Sequence, residues 1–138
     1  MRRLLLFAAA ACLAASAAAA PPAGATPPAA AAQCRGTDRA VPKRVRFARG
    51  RTTAVVKDTV RLCTSHEYRL RARAGQTMTV HLATGSKTSF TLYTPAGDTP
   101  DGADGSKDWS GELPESGEYT ITIGTDATAA YTLEVTIR

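Results

Sequence analysis

The sequence contains no Gly-x-Ser-x-Gly elbow, no His-Glu-x-x-His pair and no glycine pattern of a dinucleotide-binding turn. Those absences exclude the usual routes to serine hydrolysis, zinc proteolysis and nicotinamide or flavin chemistry. Histidine is scarce at two residues, cysteine at three, and there is a single tryptophan. Thr84-Gly85-Ser86-Lys87 resembles the tail of a phosphate loop but lacks its first glycine and its helix. Ser65-His66-Glu67 has the composition of a catalytic triad. Successive residues of a strand point to opposite faces, however, so the three cannot line up for proton relay. His66 and His81 are expected as solvated strand residues. A zinc site from Cys34, Cys63, His66 and His81 would need thiolates that an oxidising compartment removes. The composition therefore points to a protein without catalysis, cofactor or metal. Asp98, Asp101, Asp104 and Asp108 leave calcium as an alternative, but their spacing is not the one-three-five pattern of a calcium loop.

Helical periodicity is also missing. What is present is a segmented chain of 138 residues. Met1-Arg2-Arg3 is a positive start, Leu4 to Ala20 an apolar run interrupted only by Ser16, and Pro21-Pro22-Ala23-Gly24-Ala25 a breaker with a small-x-small ending. This is the layout of a secretory signal peptide over residues 1–25, cleaved after Ala25, with Ala17 and Ala20 as alternative sites. It predicts a periplasmic or secreted protein with no stable membrane span after processing. Acylation at Cys12 is the lipoprotein alternative. Residues 26–33 are Pro/Ala-rich with almost nothing to bury, which predicts a tether. Residues 34–138 form one domain.

Removing the signal leaves Cys34 and Cys63, an even count that predicts a disulfide in an exported chain. It would close a loop of about thirty residues, worth roughly 3.5 kcal/mol of chain entropy. Charge is unevenly distributed. Arg35 to Arg73 carries twelve Lys/Arg against three Asp/Glu, and Ala74 to Arg138 carries three against nine. Two fields of opposite sign can steer two different partners.

The dominant period is two. Tyr68, Leu70 and Ala72 alternate with Arg69, Arg71 and Arg73, which predicts a basic stripe on an outer face. Met78, Val80 and Leu82 share a face, as do Phe90 and Leu92, then Tyr119, Ile121 and Ile123, then Tyr131, Leu133, Val135 and Ile137. Val45 and Phe47 begin the series. Ala74-Gly75-Gln76 and Gly85-Ser86 are short enough for hairpins. The pattern predicts an all-β fold, a small antiparallel β-sandwich of seven or eight strands. The segment from Thr94 to about Lys107 breaks the rhythm, crowded with Gly, Pro and Asp. Long connections of this kind are often functional. Trp109 follows, as either an exposed anchor or a core residue. The arginine strands carry Tyr68 at core parity, so their outer face lacks stacking aromatics and a nucleic-acid partner is not expected. For the basic half, an envelope polysaccharide or lipopolysaccharide is the more plausible polyanion in an exported protein.

Four segments resemble a known family in order and spacing. They are Val45-Arg46-Phe47-x-x-Gly50, then Tyr68-x-x-x-Ala72-x-x-Gly75-Gln76-x-Met78-x-Val80, then Leu113-Pro114-x-Ser116-Gly117-x-Tyr119, and last Tyr131-x-Leu133-x-Val135-x-Ile137. Together they resemble the periplasmic inhibitors of goose-type lysozyme. The same Gly-Gln and Ser-Gly-x-Tyr punctuation is also similar to sandwich modules that trail secreted peptidases. The first resemblance implies a small β-sandwich whose partner is a lysozyme and whose loops block the active-site cleft. The residues it nominates for binding are Ser116, Gly117 and Tyr119. The adjoining connection adds Asp101, Asp104, Asp108 and Trp109. Tyr119 shares parity with Ile121, which also suits a core tyrosine anchoring a corner by its hydroxyl.

Overall fold

The computed structural model describes residues 39–85 and 87–138. The expected signal peptide, the linker, Cys12, Cys34 and Ser86 lie outside them. Eight strands account for the regular structure: β1 (Arg39–Arg44), β2 (Thr53–Val60), β3 (Thr64–Ala72), β4 (Thr77–Thr84), β5 (Thr88–Tyr93), β6 (Asp108–Glu112), β7 (Gly117–Thr125) and β8 (Ala129–Ile137). They form two four-stranded sheets, β1-β3-β7-β5 and β2-β8-β4-β6. This is the expected all-β sandwich. All pairings are antiparallel except one: β1 runs parallel to β3, from Arg39 beside Thr64 to Arg44 beside Arg69.

Odd-numbered strands make one sheet and even-numbered strands the other, so every connection crosses between the layers. The hairpins expected at Ala74-Gly75-Gln76 and Gly85-Ser86 are therefore not hairpins. β3 and β4 lie in different sheets, as do β4 and β5. The turn chemistry was correctly located but its pairing was not. Gly75, at φ 81°, supplies the left-handed residue of the first arch. Its N–H donates to the Leu113 carbonyl at 2.9 Å, and the Leu113 N–H donates to the Gln76 carbonyl at 2.8 Å. The arch is closed on itself by the Gln76 N–H, which donates to the Arg73 carbonyl at 3.3 Å, and is also sewn to the β6–β7 turn.

The core follows the period-two pattern. Tyr68, Leu70, Met78, Val80, Leu82, Phe90, Leu92, Ile121, Ile123, Leu133 and Val135 are all buried between the sheets. At about 25 cal/mol per Å² of apolar surface removed from water, this layer is the main stabilising term. Two strands escaped the sequence pattern. β2 places Val55 outward, 56% exposed, which blurs its alternation. β6 is a five-residue edge strand carrying one large side chain, Trp109. β1 ends at Arg44, just before Val45 and Phe47, which bury their side chains from the segment that follows.

Candidate functional site

The 94–107 connection joins β5 in one sheet to β6 in the other. Its sequence has no periodicity, yet its backbone is tied down. The Thr94 N–H donates to the Asp98 carbonyl at 2.8 Å and the Gly97 N–H to the Thr94 carbonyl at 2.9 Å, which closes a tight turn. Further on, Phe90 and Ser106 exchange both of their backbone bonds, and the Leu92 N–H donates to the Ala103 carbonyl at 3.0 Å. The second half of the connection therefore lies along the β5 edge and shields it. Ala103 is its buried plug.

The nominated residues separate into distinct places. Asp101 and Trp109 meet: the indole N–H donates to the Asp101 carbonyl at 3.1 Å. The ring of Trp109 is half-buried, packs on the core and covers Gly111, where a Cβ would stand 2.6 Å from a ring carbon. Trp109 is thus a clasp for the connection. Asp104 accepts from the Thr91 hydroxyl at 2.9 Å. Thr91 alternates with buried Phe90 and Leu92, so Asp104 lies on the outer face of the β1-β3-β7-β5 sheet. Asp108 instead pairs with exposed His81 on the outer face of the other sheet. Among the described residues no three His, Cys, Asp or Glu side chains gather as metal ligands.

Ser116 and Gly117 form the β6–β7 turn, which is held from three sides. The Ser116 hydroxyl accepts from the Ala74 N–H at 2.9 Å. The Tyr119 hydroxyl donates to the Glu115 carbonyl at 2.7 Å and accepts from the Glu115 N–H at 3.3 Å. Gly117 lies against Pro95, where a Cβ would come within 2.7 Å of the proline ring. Tyr119 itself is fully buried. Its nomination as a binding residue is corrected on that ground: its ring cannot meet a partner, and its hydroxyl serves as the corner anchor. The close approach of Gly117 and Pro95 joins the turn to the start of the 94–107 connection. Beside them is a shallow concavity of about 690 Å³ lined by Glu67, Tyr93, Thr94, Pro95, Gly97 and Glu118, among others. Sequence reasoning missed Tyr93 as part of this surface. Tyr93 follows inward Leu92 and is exposed, so parity alone could have nominated it.

A second polar cluster is internal. His66 is buried, not solvated as expected, because it shares parity with Tyr68 and Leu70. Its Nδ1 is 2.6 Å from the Tyr131 hydroxyl, which is 2.7 Å from the Tyr68 hydroxyl. Tyr68 reaches towards Asp58 at 3.5 Å, and Asp58 pairs with Lys43. The chain links β1, β2, β3 and β8 at one end of the sandwich. Desolvation and the Lys43 ammonium depress the His66 pKa, outweighing the opposing pull of Asp58. Burial raises the pKa values of Tyr68 and Tyr131, so both stay protonated as hydrogen-bonding groups. For Asp58, burial works towards a higher value, but the bonds from Lys43 and the Thr59 N–H prevail and lower it. Neither Ser65 nor Glu67, on either side of His66, hydrogen-bonds to its ring.

No protein-family model matches the sequence, and no curated protein matches it. Solved structures do. The chain is similar to Aeromonas hydrophila PliG, a periplasmic inhibitor of g-type lysozyme, with 30% identity and a TM-score of 0.67 over 74% of this chain and 100% of that one. This chain belongs to the PliG family. Salmonella Typhimurium PliG is similar at 22% identity and a TM-score of 0.57, again over 74% of this chain and all of that one. A mutant of the Escherichia coli PliG matches at 19% identity and a TM-score of 0.56, over 72% and 99%. These two extend the likeness in fold. The PliG neighbours are inhibitors, not enzymes.

Proposed function

We propose that this protein is a periplasmic or secreted inhibitor of goose-type (g-type) lysozyme, with no turnover of its own. The observation that carries the reading is the match to the whole length of the A. hydrophila inhibitor at 30% identity. The inhibitory surface is the β6–β7 turn at Ser116-Gly117 with the adjoining 94–107 connection, including Asp101 and Asp104, and the clasp made by Trp109. Its turn is held rigid before any partner arrives, which lowers the ordering cost of binding. A lysozyme cuts its polymer in a cleft lined by carboxyl groups, and a rigid protrusion of backbone and hydroxyl donors fits such a cleft without chemistry. Lysozymes are commonly cationic, so exposed Asp98, Asp101, Asp104, Glu115 and Glu118 favour encounter.

The test is a turbidity assay of peptidoglycan lysis by goose-, chicken- and invertebrate-type lysozymes with the purified mature domain added. Inhibition of the goose-type enzyme alone is expected. Full activity of all three at micromolar protein would overturn the proposal. Ser116→Ala should weaken inhibition while changing stability by about 1 kcal/mol or less, because the hydroxyl is exposed and makes one backbone bond. Charge reversal at Asp101 and Asp104 should slow association at low salt and matter less as salt rises.

A further inference from the structure

The outer face of the β1-β3-β7-β5 sheet carries a band of arginines. Arg44 and Arg46 project from β1 and the residues just past it, and Arg69, Arg71 and Arg73 from β3 and its end, all exposed. In the register of the sheet, Arg44 lies directly beside Arg69. Like charges side by side on neighbouring strands repel, so the fold carries a cost here. Part of it is relieved at the border. Arg69 lies 3.7 Å from Glu67 and 3.9 Å from Glu118. Arg44, Arg46, Arg71 and Arg73 make no ion pair among the described residues, although Glu118 lies directly across from Arg71 in the register. Lys43, the one lysine of the strand, turns inward to Asp58, which leaves the outward cations all arginine.

Two shallow depressions lie along this band. One is lined by Pro42, Lys43, Arg44, Arg46 and Arg69, and the other by Arg71 and Arg73 together with Ser116, Gly117 and Glu118 at the β6–β7 turn. Exposed arginines about 5 Å apart across strands and about 7 Å apart along them match a chain of closely spaced oxyanions. The planar guanidinium binds a phosphate through two parallel hydrogen bonds, which an ammonium cannot do. The face offers no aromatic stack within the band, since Tyr93 stands two strands away from β3 on β5, so unstacked bases find no platform. It offers no apolar wedge for acyl chains either: among the described residues Val55 and Tyr93 are the exposed large hydrophobic ones, and Val55 is on the opposite sheet.

We propose that the arginine band of β1 and β3 binds a phosphate-bearing glycan of the cell envelope. The Arg44–Arg46 end of the band lies away from the turn surface, whereas Arg71 and Arg73 border it at Ser116 and Glu118. The proposal draws on the export reading but not on lysozyme inhibition, and the two can fail separately.

The probe is purified lipopolysaccharide, intact and chemically dephosphorylated, with binding measured by co-sedimentation and by fluorescence titration. The wild-type domain should bind the intact material at 50 mM salt and lose about tenfold or more in affinity by 200 mM, as several released counterions require. Dephosphorylation should weaken binding at least tenfold. Arg44→Gln with Arg46→Gln, and separately Arg71→Gln with Arg73→Gln, should each weaken it at least fivefold, with unchanged circular dichroism. Lys57→Gln on the other sheet should leave it unchanged. The Arg44/Arg46 variant should still inhibit lysozyme as well as wild type if inhibition exists. Equal binding to dephosphorylated polymer, insensitivity to both arginine pairs, or no binding at 50 mM salt would each overturn the proposal. Equally tight binding to vesicles of phosphatidylglycerol would replace the glycan by a membrane surface and overturn it likewise.

Discussion

Tyr131→Phe removes one oxygen from the interior and should cost far more than one surface hydrogen bond. The hydroxyl stands 2.6 Å from His66 Nδ1 and 2.7 Å from the Tyr68 hydroxyl, on a side chain 4% exposed. Two bonds are lost, each worth about 0.5–1.5 kcal/mol net, and the His66 nitrogen is left buried without its partner, at about 1–3 kcal/mol. The expected destabilisation is about 2–4 kcal/mol, because the terms overlap. In a domain of roughly a hundred residues this lowers Tm by about 10–25 °C. Tyr68→Phe spares the Tyr131–His66 bond and should cost about 0.5–1.5 kcal/mol. The two changes share one bond, so the double variant should cost about 1 kcal/mol less than the sum. Urea unfolding of the four proteins at pH 7 gives the cycle directly. A cost below about 0.5 kcal/mol for Tyr131→Phe, or strict additivity in the cycle, would refute the claim that this hydroxyl is the hub of the cluster.

Gly117→Ala should destabilise by about 1–3 kcal/mol through overpacking, since its Cβ would fall within 2.7 Å of the Pro95 ring. Combining it with Pro95→Gly should recover part of that loss in thermal melts, and no recovery would mean the strain lies elsewhere. Stability should fall with acid in two stages. His66 binds its proton more readily when unfolded, near the ordinary value of 6.5, so stability is full above that pH and declines below it. Asp58 likewise protonates first in the unfolded chain, near 3.8, and removes its share as pH falls further. His66→Asn should flatten the upper stage in a pH series of urea midpoints, and an unchanged profile would contradict the buried neutral ring. Thiol titration of the unreduced, unfolded mature protein should find almost no free thiol. The Cys34–Cys63 bond remains a proposal, since Cys34 lies outside the described residues. The β1–β3 pairing brings Arg39, five residues on from Cys34, to a 3.1 Å backbone bond with Cys63.

The sandwich was legible because its core alternates cleanly at Tyr68–Ala72, Met78–Leu82, Tyr119–Ile123 and Tyr131–Ile137, and parity translates directly into burial. The same parity placed His66 inward beside Tyr68. The error there was to follow the residue type, a polar ring, over its position in the strand. Tyr119 could be read both ways, and burial decides for the anchor. The connectivity was not legible, because a short Gly-containing turn serves a hairpin or an arch equally well. Which one forms depends on whether the next strand finds a partner in its own layer, a non-local matter. The ordering of 94–107 was hidden for a related reason: its bonds go to β5 through backbone atoms, which carry no side-chain signature. The charge asymmetry was visible from composition, but only the side-chain distances show that Glu67 and Glu118 pair with Arg69, although the register sets Glu118 directly across from Arg71.

The strict alternation of strands between the two layers bears on how the chain reaches this state. No two consecutive strands pair, so no hairpin can form early and template the rest. β8, the final strand, lies inside its sheet between β2 and β4, and until it arrives β2 has no neighbour there at all. Loop closure must be completed over long stretches before any ladder is rewarded, which places folding towards the slow end for a domain this size, in milliseconds to seconds. The β1-β3-β7-β5 sheet can close as soon as β7 is present, whereas the other sheet is joined only by β8, so the two layers are completed in turn rather than together.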